Sequence, residues 1–230
     1  MRSFLFISAL SAAAAPAAGA TRTFEITSFS KVRVDGPYKV TLKTGVAPFA
    51  SASGSQAALD RIAIDVRGDT LVIRSSLDSW GGYPGQDVGP VEISLGTHDL
   101  SAAWLNGSGA LSIDKVKGLS FDLSVQGSGV GTIAETNVDQ LQVNVVGTAS
   151  ARLAGQAAKM TAVIRGISSL DAAALSTKDA NLAADGAGTI AADVTNSVTV
   201  NATGPATVRL TGAPSCTLRV AGSAIVSGCH

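Results

Sequence analysis

Asp171 and Asp193 are the residues whose type and placement come nearest to a catalytic arrangement in this chain. If the two carboxylates sit on the corresponding strand of neighbouring coils, offset by two residues, their separation is about 8 Å. That suits an inverting glycoside hydrolase, in which one acid protonates the leaving oxygen and the other activates water. Arg152 and Arg209 fall in the same outward column, and no aromatic subsite accompanies it, so solvated surface charge is the preferred reading. The other chemistry-bearing patterns are weaker. Gly107-Ser108-Gly109 and Gly127-Ser128-Gly129 resemble a nucleophile elbow only in part, because no helix and no paired His and Asp follow. His98 and His230 lack metal-ligand spacing, and no calcium-binding repeat or loop occurs. No catalytic residue, cofactor or metal is expected, and the chain is read as a non-enzyme.

Three aromatic residues form a candidate binding surface. Trp80 and Tyr83 lie in a glycine- and proline-rich stretch, SLDSWGGYPGQDVGP (76–90), and Trp104 occupies an outward position three residues before Gly107. Indole and phenol rings at a surface can stack on sugars or a partner protein; that they pack the loop onto the body is the preferred reading. Composition narrows the partners. Seventeen basic and 17 acidic residues balance, which excludes an electrostatic surface built for nucleic acid or anionic membrane. Neutral glycans or envelope proteins fit better, and self-association is a further option.

The N-terminus states an address. Residues 1–20, MRSFLFISALSAAAAPAAGA, combine one basic residue, a short apolar run and a small-residue end. This is the pattern of a secretory signal peptide cleaved between Ala20 and Thr21. The run is too short to span a membrane, and no later stretch is long enough. The mature chain is therefore expected in the periplasm, outside the cell or associated with the envelope. In such a compartment Cys216 and Cys229, 13 positions apart, are expected to form a disulfide, the alternative being two free thiols.

These groups are positioned by a repeat. Glycines recur at positions 107, 127, 147, 166, 186, 204 and 222, at intervals of 18 to 20 residues. Before each glycine, apolar residues alternate with polar ones, as in Phe121, Leu123 and Val125 or Leu141, Val143 and Val145. Period-two alternation means a strand with one face buried. Each repeat then reads as strand, glycine corner, strand and polar corner. Such a coil cannot bury its apolar face alone, whereas coils stacked about 4.8 Å apart bury a continuous column. The fold expected is an all-β parallel β-solenoid, preferred over an antiparallel sandwich because only the solenoid explains the recurring glycine.

Gly36 and Gly68 are read as corners of less regular coils, and residues 53–60 as one capped helical turn. Residues 21–230 are thus taken as a single domain, irregular over 21–98 and regular over 99–230.

FSKVRVDGPYKVTLKTG (29–45), LDRIAIDVRGDTLVIRS (59–75), VEISL (91–95), the corners LNGSG and VQGSG, and the ending CTLRVAGSAIVSGC (216–229) occur in that order. Together they resemble the exported bacterial family called putative auto-transporter adhesin, head GIN domain. The resemblance implies a right-handed β-solenoid-like fold and an envelope location, and it brings no catalytic residues with it. A cell-envelope binding surface is the function expected. The alternatives are a carbohydrate-active hydrolase using Asp171 and Asp193, and a structural protein acting through association.

Overall fold

The computed structural model describes residues 20–76 and 89–230. In chain order the elements begin with β1 (Ala20–Phe24), β2 (Lys31–Asp35), β3 (Lys39–Thr44), β4 (Phe49–Gly54), a single helical turn α1 (Gln56–Leu59), β5 (Ile62–Arg67) and β6 (Thr70–Ser75). They continue with β7 (Glu92–Thr97), β8 (Ala102–Gly107), β9 (Ala110–Gly127), β10 (Val130–Gly147), β11 (Ser150–Gly166), β12 (Ser169–Asp185) and β13 (Thr189–Thr203). The last are β14 (Thr207–Thr211), β15 (Ser215–Ala221) and β16 (Ile225–Ser227).

From β8 onward each coil stacks in parallel on the one before it, in the β-solenoid arrangement that the glycine period implies. The long elements β9 to β13 are bent, with register shifts marking the polar corner in several of them. One straight run follows the glycine and the other precedes the next. The glycines stack on each other: Gly127 has φ +102°, and a Cβ there would come within 2.7 Å of the Gly107 carbonyl oxygen. Only glycine meets both conditions.

Inside, register makes continuous apolar columns. Leu105, Val125, Val145, Ile164, Ala184 and Ala202 are successive partners, and all are buried. Ala103, Leu123, Val143, Ala162, Leu182 and Val200 form a second such column. Burial of these side chains is the main stabilising term, at about 25 cal/mol per Å² of apolar surface.

The lead-in is irregular, as expected, but it is not a serial run of coils. β2 lies between β6 and β8, parallel to both, and β3 lies between β7 and β9. The first complete coil in sequence is therefore inserted ahead of the regular stack, 71 residues from its neighbour. Gly68, read above as a solenoid corner, instead turns an antiparallel hairpin between β5 and β6, with Arg67 opposite Thr70. Its φ of +63° suits the first position of the two-residue Gly68-Asp69 loop. On the other side β4 runs antiparallel to β7, and β1 antiparallel to β4. The capped turn is present: the Ser55 side chain accepts from the Ala58 N–H, and Ala58 and Leu59 are buried.

The last coil is clipped. Cys216 and Cys229 are joined, with Cα atoms 5.7 Å apart. Cys229 counts as outward by simple alternation, yet it packs against the core because the chain turns at Gly228, φ +92°.

Candidate functional site

The strand run that precedes each glycine offers its outward residues as parallel columns. One reads Arg33, Trp104, Ser124, Asn144 and Val163, each the register partner of the next. Beside it runs Asp35, Asn106 and Gln126, and on the other flank Asp122, Gln142 and Thr161. These positions are outward because their neighbours Val34, Leu105, Val125 and Val145 fill the core.

Trp104 is half-buried on this face. Its neighbours are small or flexible, and open depressions lie against it on both sides. One, of ≈ 790 Å³, is lined by Arg33, Asp35, Asn106 and Gln126 along with Trp104. The other, of ≈ 390 Å³, is lined by Trp104, Asp122, Gln142, Asn144 and Thr161. Together they extend from β6 to β11, about 24 Å along the stacking direction.

The polar groups at the first depression are held in place. Asp35 accepts from the Arg33 guanidinium at 2.9 Å and from the Asn106 amide at 2.7 Å. Gln126 donates to Ser124 Oγ at 3.3 Å. The site therefore pairs a ring that can stack with amides and a carboxylate whose remaining lone pairs and protons face solvent. That combination suits a ligand carrying neutral hydroxyls.

The other sequence-derived residues fare differently. Trp80 and Tyr83 lie outside the described residues. Asp171 and Asp193 lie on the neighbouring parallel strands β12 and β13. Asp171 pairs with Ala191, and Asp193 stands two residues further along β13 on the same face, the offset read from the sequence. Each is also engaged: Asp171 with Arg152 at 3.3 Å, Asp193 with Thr211 Oγ1 at 2.9 Å. Arg152, Asp171, Ala191 and Arg209 do form one outward column. Among the described residues no group of three or more His, Cys, Asp or Glu could hold a metal ion.

Two exposed aspartates titrate below the ordinary carboxylate value of 3.8. Asp179 is held down by hydrogen bonds from Ser197 and Asn196, and Asp69 by its contact with Lys31. Both lie away from Trp104 and act as links between coils.

Of the residues lining the first depression, sequence reasoning named Trp104 but not Arg33, Asp35, Asn106 and Gln126. Arg33 and Asp35 could have been found only by recognising that the Gly36 coil and the Gly107 coil are neighbours. No helix among the described residues is long and apolar enough to cross a membrane.

A family model described as putative auto-transporter adhesin, head GIN domain, matches residues 28–214. The fold is similar to a crystal structure described as a putative adhesin from Bacteroides fragilis, with TM-score 0.82 and 16% identity over 92% of this chain and 96% of that one. It is also similar to one described as a putative lipid binding protein from Parabacteroides distasonis, with TM-score 0.74 and 17% identity over 91% and 96% of the two chains. A putative adhesin from Parabacteroides merdae gives TM-score 0.68 and 18% identity over 91% and 95%. No curated protein matches the sequence.

Proposed function

The chain belongs to the family described as putative auto-transporter adhesin, head GIN domain, and from that premise we propose that it is an exported, non-catalytic binding protein of the cell envelope. Its ligand surface is the outward face around Trp104, and the ligand is a neutral glycan of the envelope. The observation that carries this reading is the half-buried indole between two depressions, edged by Asn106, Gln126, Gln142 and Asn144. A sugar ring stacks by its apolar face on an indole, and its hydroxyls exchange hydrogen bonds with amides and carboxylates. Formal neutrality of the chain favours an uncharged ligand over a polyanion.

Export is supported by residues 1–20, whose pattern is that of a signal peptide. The non-catalytic reading is supported by the partners of the two acids, since Asp171 is paired with Arg152 and Asp193 accepts from Thr211 Oγ1. A glycan array, followed by calorimetric titration of the neutral oligosaccharides that register, tests the proposal. Binding without release of reducing ends, and its loss in Trp104→Ala, are expected. Reducing-sugar release that disappears in Asp171→Asn or Asp193→Asn would sink it, as would an array on which no neutral glycan is retained.

A further inference from the structure

The two ends of the apolar core are unlike. The column that starts at Ile73 and Val34 ends at Val220, and the one that starts at Leu71 and Val32 ends at Leu218. At the first end Leu71 and Ile73 are 0% exposed, whereas at the other Leu218 and Val220 are each 45% exposed. The difference lies in what covers them. β5 folds back on β6, and α1 buries Ala58 and Leu59 against the same end. The strands that close this end also carry fixed charge, with Arg22 bonded to Asp60 and Arg74 to Asp65. At the opposite end β15 pairs only with β13 and β16 only with β14 among the described residues. Residues 215–229 contain one charged side chain, Arg219. A strand edge with a single charge above an exposed apolar column is a template for pairing, and solenoids ordinarily close it.

We propose that this end is an interface between two copies of the chain, related by a twofold axis, with β15 antiparallel to the second copy's β15. Three observations select that occupant. The far end is closed and charged, so head-to-tail stacking would press the apolar end against a polar cap; the contact must be isologous. A twofold axis through Leu218, normal to the sheet, pairs β15 over its whole length and keeps inward side chains inward. In that register Arg219 faces the second copy's Thr217 and not its Arg219, so like charges do not meet across the strands. The end of a coil of about 18 residues covers on the order of 500 Å². That is less than the roughly 800 Å² per partner of a standard interface, so the dimer is one that dissociates on dilution.

Sedimentation velocity on a dilution series of the full chain tests this. A monomer–dimer equilibrium is expected, and Leu218→Lys should move its midpoint to at least about tenfold higher concentration. Because that variant could also loosen the last coil, Thr217 supplies a second measurement on the exposed side. Thr217→Arg should weaken the dimer by placing cation opposite cation twice, and Thr217→Asp should tighten it by pairing with Arg219. Trp104→Ala should leave the dimer unchanged, which separates this interface from glycan binding. A wild-type chain that stays monomeric at every concentration, assemblies larger than a dimer, or Thr217 variants indistinguishable from wild type would overturn the proposal.

Discussion

Arg33 and Trp104, 71 positions apart in the chain, are register partners on adjacent parallel strands. The pairing of β2 with β8 joins the lead-in to the regular stack, and with it Asp35 comes to the Asn106 amide. Trp104→Ala should therefore weaken glycan binding by about tenfold or more while leaving the fold intact, since ring contacts at a binding surface often contribute more than about 1 kcal/mol. Titration calorimetry with parallel circular dichroism checks this. Asp35→Asn should give a smaller loss, because it removes the ion pair with Arg33 but keeps an oxygen for Asn106.

Gly127→Ala should destabilise the protein by about 2–3 kcal/mol. The methyl group would meet the Gly107 carbonyl oxygen at 2.7 Å, and a backbone atom held in a parallel ladder cannot give way cheaply. Denaturant unfolding measures the loss. Gly68→Ala, at a glycine with nothing within 4 Å of its added Cβ but with φ +63°, isolates the conformational cost from the steric one and should be the milder change.

Reduction of the Cys216–Cys229 bond should act locally. A closed loop of this size is worth about 3 kcal/mol, but among the described residues the last coil pairs only with the coil before it. Hydrogen exchange on reduction should accelerate across β15 and β16 and leave β10 and β11 protected. Simultaneous loss of protection in all coils would instead mean that the clip supports the entire stack.

Asp179 links β12 to β13 through Asn196 and Ser197. Its folded pKa lies below 3.8, so the fold favours the ionised form. The contribution is present above the ordinary pKa and disappears as pH falls through the lower folded value. The stability gap between wild type and Asp179→Asn should accordingly be seen at neutral pH and close in strongly acidic buffer. Urea midpoints measured across that range, with an NMR titration of the carboxyl group, provide the test. A gap that widens on acidification contradicts the assigned hydrogen bonds.

Much of the coil was legible in the residues themselves. Alternation such as Phe121, Leu123 and Val125 sets which side chains enter the core, because a strand's faces alternate strictly. The glycine interval sets where the chain turns, and Ser55 three residues before Ala58 caps the single helical turn. The outward place of Trp104 follows from the same counting. Local chemistry could also have distinguished Gly68 from the other corners, since Gly-Asp between two apolar strands is a hairpin signal.

What only the tertiary structure decided is which strand lies beside which. A coil's own pattern specifies its shape and its buried face, but any coil of that shape presents a similar edge of N–H and C=O groups to its neighbours. Partner choice depends on what the whole chain can close: β5, α1 and β4 cap one end, so β2 and β3 enter between β6 and β8 and between β7 and β9. That insertion assembles Arg33, Asp35, Trp104 and Asn106 into one surface. Residue pattern thus determined the coil, and long-range strand pairing determined the site.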